Sequence, residues 1–276
     1  NGGIGRREFI KAATAMGFAA TAPALFSHAA HATPKKGGVY RMGLGGANTG
    51  DMLDPGENGD TFMINMNMGG CRNGLVEVNA DGQAKPELAE SLEPSADAKT
   101  WVVKLRKGIE FHSGKTFEAD DAIASIEHHR GEEATSDAKS VAESLGSIRK
   151  DGPNTLIFDL ESGNADFPYL LSDYHILMGS TDKHGHIDWE TGDGTGSYVV
   201  KNFEPGVRAH MVRNPNYFKE GCANFDEVKI TAVGDAAARM NGIVTGQFDS
   251  IVRCDLKTAP MLEKKPGISV LQVSGT

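Results

Sequence analysis

Hydrophobic and polar positions along this chain follow two periods, and each period marks an element. In "KTWVVKLRKGIEFHSG", Trp101, Val103 and Leu105 alternate with Val102, Lys104 and Arg106. That period of two predicts a half-buried strand, broken at Lys107-Gly108. "NTLIFDLES" alternates likewise, with Leu156, Phe158 and Leu160 on one face, and "VYRMGLGG" is a short strand running into glycines. "FEADDAIASIEHHR" switches to helical spacing: Ala119, Ile123 and Ile126 form an inner stripe, and acidic residues crowd the first turn, where the macrodipole favours them. "TFMINMNMGGCRNGL" also has helical spacing and predicts a helix ending near Gly69-Gly70.

Further along, "SYVVKNFEPGVRAHMVR" places two strand-like runs around Glu204-Pro205-Gly206-Val207. Proline presets the first turn torsion and glycine accepts positive φ at the next position, so a hairpin is expected. "FDEVKITAV" predicts a strand, followed by a helix capped by Asp235 with Ala236, Met240, Ile243, Val244 and Gln247 on its buried side. "FDSIVR" is a short strand, a helical stretch runs to about Lys264 with Pro260 obscuring its start, and "GISVLQV" is a last strand. Strand, helix, strand, helix, strand indicates a largely parallel α/β unit. The mature chain therefore divides into an α+β region over about 54–178 and an α/β region after it.

The first 32 residues stand apart. Arg6, Arg7 and Lys11 precede an uncharged run from Ala12 to Phe26, which is followed by Ala30-His31-Ala32. That run is shorter than the roughly 20 residues a spanning helix needs. Charged region, short apolar region and small-x-small triplet make an export signal, cleaved after Ala32. "RREFIK", with Phe9 and Lys11, resembles the twin-arginine consensus, although Gly5 stands where Ser or Thr usually precedes the pair; a general secretory signal with two arginines is the alternative. No cysteine lies at the cleavage region, so a lipid anchor there is not expected.

Charge and composition narrow the partners. The 276 residues carry 28 Lys and Arg against 37 Asp and Glu, a net charge of −9, which argues against nucleic acid. Cys71, Cys222 and Cys254 form no CxxC pair; Cys222 with Cys254 is a conceivable disulfide, and buried unpaired thiols are the plainer reading.

Candidate chemistry is sparse. "GLGGAN", Gly43–Asn48, follows a strand but lacks the third small residue and the acidic partner of a dinucleotide turn. His184, His186, Asp188 and Glu190 in "TDKHGHIDWE" could ligate zinc or nickel if their loop wrapped an ion; a solvated loop is the plain reading. His128 and His129 are adjacent and diverge on a helix. Met63, Met66 and Met68 are read as core in preference to a soft-metal surface. No G-x-S-x-G, H-E-x-x-H or P-loop pattern is present.

Longer stretches carry more information. "PELAESLEPSADAKTWVVKLRKGIEFHSGKTFEADDAIASIEHHR" (86–130), "NADFPYLLSDYHI" (164–176) and "GTGSYVVKNFEPGVRAHMVRNPNYF" (194–218), with "FDEVKI" and "GQFDSI", resemble the large extracytoplasmic solute-binding proteins of peptide/nickel-type ABC importers, known as family 5. Ser197 replaces a common proline and Phe218 a frequent tryptophan.

The resemblance implies a periplasmic binding protein type II-like α/β fold of two lobes hinged around a buried ligand, in chains about twice this long. It casts residues 33–53 as the first segment of lobe one, 54–178 as an extra α+β domain, and 179–276 as a second lobe-one segment ending at the hinge, with the second lobe missing. The sequence is then a fragment. It further implies a non-catalytic periplasmic component without cofactor, which captures a peptide or other small polar solute and delivers it to permease and ATPase subunits after twin-arginine export. Gly45, Gly46, Ala47 and Asn48, with Ser274, Gly275 and Thr276, would offer backbone groups to an extended ligand; their plain reading is tight turn and hinge. An exported metal-dependent enzyme using His184 and His186 is the alternative function, and a binding module serving a receptor or chaperone is a third.

Overall fold

The computed structural model describes residues 35–57 and 59–272. The export-signal residues Arg6, Arg7, Phe9 and Lys11, the cleavage point after Ala32, and Ser274, Gly275 and Thr276 lie outside them.

In chain order the regular elements are β1 (Val39–Leu44), α1 (Thr61–Met66), β2 (Val76–Val78), β3 (Ala84–Pro86), β4 (Ala89–Pro94), β5 (Thr100–Leu105), α2 (Ala119–Glu127) and α3 (Lys139–Ser144). There follow β6 (Ser147–Lys150), β7 (Thr155–Asp159), α4 (Phe167–Leu170), β8 (Tyr198–Glu204), β9 (Arg208–Arg213), β10 (Glu227–Ala232), α5 (Ala236–Val244), β11 (Ser250–Ile251) and α6 (Ala259–Leu262).

Two larger sheets organise them. The first has the order β11-β1-β10-β9-β8. Strands β10 and β11 both run parallel to β1 between them, as expected of the α/β unit, while β9 and β8 join antiparallel as the expected hairpin, so the sheet as a whole is mixed. The hairpin turn closes by the Val207 N–H donating to the Glu204 carbonyl at 3.0 Å, with Gly206 at φ 73°. One face of this sheet, carrying Leu44, Met211, Val228 and Ile230, is buried against Phe62, Met63 and Met66 of α1. Met63 and Met66 are therefore core, while Met68 is exposed.

The second sheet, β4-β5-β7-β6, is antiparallel throughout. Trp101, Val103, Leu105, Leu156 and Phe158 face a core shared with Ala119, Ala122 and Ile126 of α2 and with Phe167. Ile123 and Leu160 pack at the edge of that core, only partly buried. Both period-two segments formed strands because each presents one continuous apolar face.

Three expectations need correction. Helix α5 buries Arg239 and Gly242, not Val244 or Gln247. Phe248 explains this: its ring lies between Gly43 and Gly242, where any Cβ would come within 2.6 and 2.4 Å of it. The helix must therefore lay its glycine against the sheet, and Gln247 falls beyond the Thr245 cap. Second, Ile268–Gln272 form no strand, because among the described residues no strand of any sheet pairs with them. Third, the cysteines are unpaired as the plainer reading has it, but only Cys71 is buried: Cys222 is exposed and Cys254 half-buried. Among the described residues no helix is long and apolar enough to cross a membrane.

Candidate functional site

In a sheet with parallel strands, loops at the carboxyl ends of those strands form the ligand crevice. Here those ends bring together Gly45–Asn48 after β1 and Val233–Asp235 after β10. The two are locked to each other: the Val233 N–H donates to the Leu44 carbonyl at 2.7 Å. Arg239, 7% exposed, folds back so that Nη1 donates to the Val233 and Gly234 carbonyls at 2.7 and 3.0 Å. A Cβ on Gly45 would lie 2.9 Å from that same Nη1, so the turn passes close over the guanidinium, and a larger residue there would displace the Arg239 tip from its two carbonyls.

Gly46 adopts φ +97°, a left-handed conformation that lets it pass the Asp60 cap of α1. Among the described residues, the main-chain groups of Gly46 and Ala47 have no hydrogen-bond partner. Those of Asn48 do: its N–H donates to Asp51 Oδ2 at 2.9 Å and its carbonyl accepts from the Asp51 N–H at 3.2 Å. Its side-chain oxygen accepts from the Gly50 N–H at 2.8 Å. Asn48 thus closes its own turn, and the groups left open are those of Gly46 and Ala47. Burial pushes the Asp51 carboxyl above the usual carboxylate range, and the neighbouring Asp60 adds to the effect against the Asn48 hydrogen bond.

The histidine loop is organised differently from a metal site. Asp182 Oδ1 accepts the backbone N–H groups of both His184 and His186, at 2.8 and 2.9 Å, closing a tight turn. His186 and Asp188 face a broad open depression with Lys115 and Asp193. Among the described residues no three His, Cys, Asp or Glu side chains are grouped to hold a metal ion. His128 and His129 do not diverge fully, since their rings meet edge to face with centres 5.2 Å apart, but they take different partners: His128 pairs with Asp54 at 2.8 Å, whereas His129 turns inward to Ser136 Oγ at 2.7 Å.

Sequence reasoning missed the polar groups behind the rim. Arg72 is fully buried, with Nη1 donating to the Leu53 carbonyl and Asn67 Oδ1, and Nη2 to the Trp189 carbonyl. It ties together three chain segments, at Leu53, Asn67 and Trp189. Gly194 and Gly196 of "GTGS" pass against the same place; a Cβ on either would strike the Cys71 or Gly70 carbonyl at 2.0 or 2.1 Å. Nothing in "GGCRNGL" distinguishes such an arginine from a surface charge, but the paired glycines of "GTGS" were a readable sign of close backbone approach.

Comparison with known proteins settles the family. The model of the bacterial extracellular solute-binding proteins, family 5 Middle, matches residues 83–276. The chain belongs to that family. It is 27% identical over 202 residues to the oligopeptide-binding protein AppA of Bacillus subtilis, covering 67% of this chain and 36% of the relative. Against heme-binding protein A of Haemophilus influenzae it is 27% identical over 230 residues, covering 74% of this chain and 42% of the relative. The structure of the periplasmic binding protein AgaA from A. tumefaciens R10, in complex with agropinic acid, superposes with a TM-score of 0.74 at 25% identity, over 83% of this chain and 46% of that one. The fold is thus that of a periplasmic binding protein, and the chain spans less than half the length of these family members.

Proposed function

We propose that this chain forms part of the substrate-binding component of an ABC importer, non-catalytic and acting in the periplasm. The observation that carries this reading is the family match over residues 83–276. The rim geometry supports it: among the described residues, Gly46 and Ala47 present unpaired main-chain groups at the carboxyl end of β1, where an extended solute can bond to backbone irrespective of its side chains. By resemblance, Ser274, Gly275 and Thr276, outside the described residues, would also offer backbone groups. Relatives whose names mention oligopeptide, heme and agropinic acid favour a small organic solute, with peptide as the leading class. Permease and ATPase subunits would receive it.

The pattern Arg6, Arg7, Phe9, Lys11 with cleavage after Ala32 supports delivery by the twin-arginine machinery without a lipid anchor. The two cores support a division into a lobe and an inserted α+β domain ending near residue 178. The boundary expected at residue 54 is better placed near 72, because Phe62, Met63 and Met66 share their core with Leu44 and Ile230.

A panel of di- and oligopeptides, an opine, heme, an oligosaccharide and a nickel chelate, tested by thermal denaturation of the whole protein, decides the reading. One class at about 100 times its Kd should add about 2.7 kcal/mol of stability. A panel without any shift, or turnover of a panel member, would overturn it.

A further inference from the structure

Helix α1 does not end in an ordinary cap. It passes directly into a π-turn, Asn67–Cys71, in which the Arg72 N–H reaches back five residues to the Asn67 carbonyl at 2.9 Å. Such turns recur at functional sites. Two of its residues, Gly69 and Gly70, lack the side chains that would otherwise fill the space between helix and sheet. A Cβ on Gly69 would meet nothing within 4 Å, and one on Gly70 would press on the flexible end of Met211 and lie in ordinary contact with the Asn65 carbonyl.

The result is a pocket of about 240 Å³, open on one side, between the π-turn and the first sheet. Its floor is a row of side chains in cross-strand register. Tyr40 of β1 lies opposite Val228 of β10, which lies opposite Met211 of β9, and Met42 is paired with Ile230. One wall is flat, since Tyr40 and Phe225 stack with ring centres 4.8 Å apart and planes 9° from parallel. Asn65 supplies a polar edge. Its Nδ2 is held by the Thr61 carbonyl at 2.7 Å, leaving Oδ1 to accept a hydrogen bond.

We propose that this pocket binds a small planar aromatic molecule bearing one N–H or O–H donor, of about the size of indole. Volume sets the size: an apolar cavity of about 150 Å³ accepts benzene, so this one takes a larger, bicyclic or substituted ring. Chemistry sets the class. Two thioethers and a stacked aromatic wall offer the soft, polarisable contacts that rings prefer, and Asn65 Oδ1 is an acceptor for a single donor. The pocket is separate from the cleft rim. Its lining residue nearest the rim along β1 is Met42, which precedes Gly45 by three residues, about 10 Å along an extended strand.

Indole is the probe for the test. In protein labelled at methionine methyls, titration with indole should move the Met42 and Met211 resonances saturably through ring currents, with Met42→Leu and Met211→Leu assigning them among the ten methionines. Met42→Trp and Gly69→Leu each occupy the space from a different wall. Either variant, once its melting curve shows a folded protein, should weaken indole at least about tenfold. A linear, unsaturable response, or saturable binding that both filled variants retain, would overturn the proposal.

Discussion

Lys219 follows β9 and joins the two cores. Its Nζ reaches Glu87 at 2.5 Å and Glu77 at 2.7 Å, and Glu87 also accepts from Asn73 Nδ2 and the Gly74 N–H at 2.7 and 3.0 Å. Burial works against the lysine charge, yet the two carboxylates outweigh it and hold the ammonium above the usual lysine range. Burial likewise pushes the Glu87 carboxyl up, in spite of Lys219. Exposure decides which half of the pair matters: the Glu87 side chain is 10% exposed and the Glu77 side chain 42%. The Glu77 contact is therefore worth at most about 1 kcal/mol. Lys219→Met strands a buried Glu87, for which about 3–5 kcal/mol is typical; its two remaining hydrogen bonds place the expected loss near about 3 kcal/mol at pH 7. In a folded unit of this size that lowers the melting midpoint by about 6–12 °C. The sign with pH follows from Glu87. A carboxyl with a raised folded pKa costs nothing below its unfolded value of about 4.3 and costs progressively more as pH rises through the folded value. The deficit of Lys219→Met should thus shrink towards pH 4, and the double variant with Glu87→Gln should recover about 2 kcal/mol of it. Urea unfolding of the parent, both singles and the double at pH 7 and 5 measures this. A single-variant loss under about 1 kcal/mol, or a double less stable than Lys219→Met, would refute the reasoning.

His129 is buried, and burial, then its neighbour His128, press its pKa from the usual value to about 4. A depressed histidine contributes stability above its unfolded pKa and loses it as pH falls from about 6.5 to about 4, by up to about 3 kcal/mol. The difference in urea midpoint between parent and His129→Gln should therefore change across that window; a pH-independent difference would contradict it. Gly196→Ala drives a Cβ to 2.1 Å from the Gly70 carbonyl and should cost more than about 3 kcal/mol, whereas Gly152→Ala, with φ +75° and open space around it, should cost about 1 kcal/mol. Equal losses in thermal melts would refute the close-approach argument. Arg72→Lys keeps the charge but loses the fork that reaches Asn67, Leu53 and Trp189 together, and should lose about 3 kcal/mol; a melting midpoint within 2 °C of the parent, under about 1 kcal/mol, would show that charge alone suffices.

What was legible in the sequence is what local pattern determines. The β8–β9 hairpin was visible because Pro205-Gly206 dictates its turn chemistry and the flanking runs alternate. Strands β5 and β7 were visible because one face of each is apolar without interruption. The last segment, Ile268–Gln272, alternates just as well and pairs with nothing, because propensity supplies a strand-like backbone and only a neighbouring edge makes it a strand. The buried side of α5 was misread for a related reason. Apolar spacing favoured Val244, but the space under the helix is already filled by Phe248, so the sheet-facing position went to Gly242, the one residue of α5 thin enough to lie on that ring.

The loops at the carboxyl ends of β1 and β10 show the same limit from the other side. Position after β1 identified Gly45–Asn48 as a candidate wall, and that argument came from topology and resemblance, not from any catalytic or ligand-binding residue type. What the four positions do individually depends on partners far away in sequence. Gly45 passes close over Arg239, and Asn48 is spent on Asp51. Gly46 and Ala47 remain open because Asp60 caps α1 beside them without bonding to them. A binding surface made of main chain leaves few marks in side-chain chemistry. Its sequence trace is the set of small residues and buried cations that hold the main chain in place, and those look like turn residues and surface charges until the sheet brings residue 239 under residue 45.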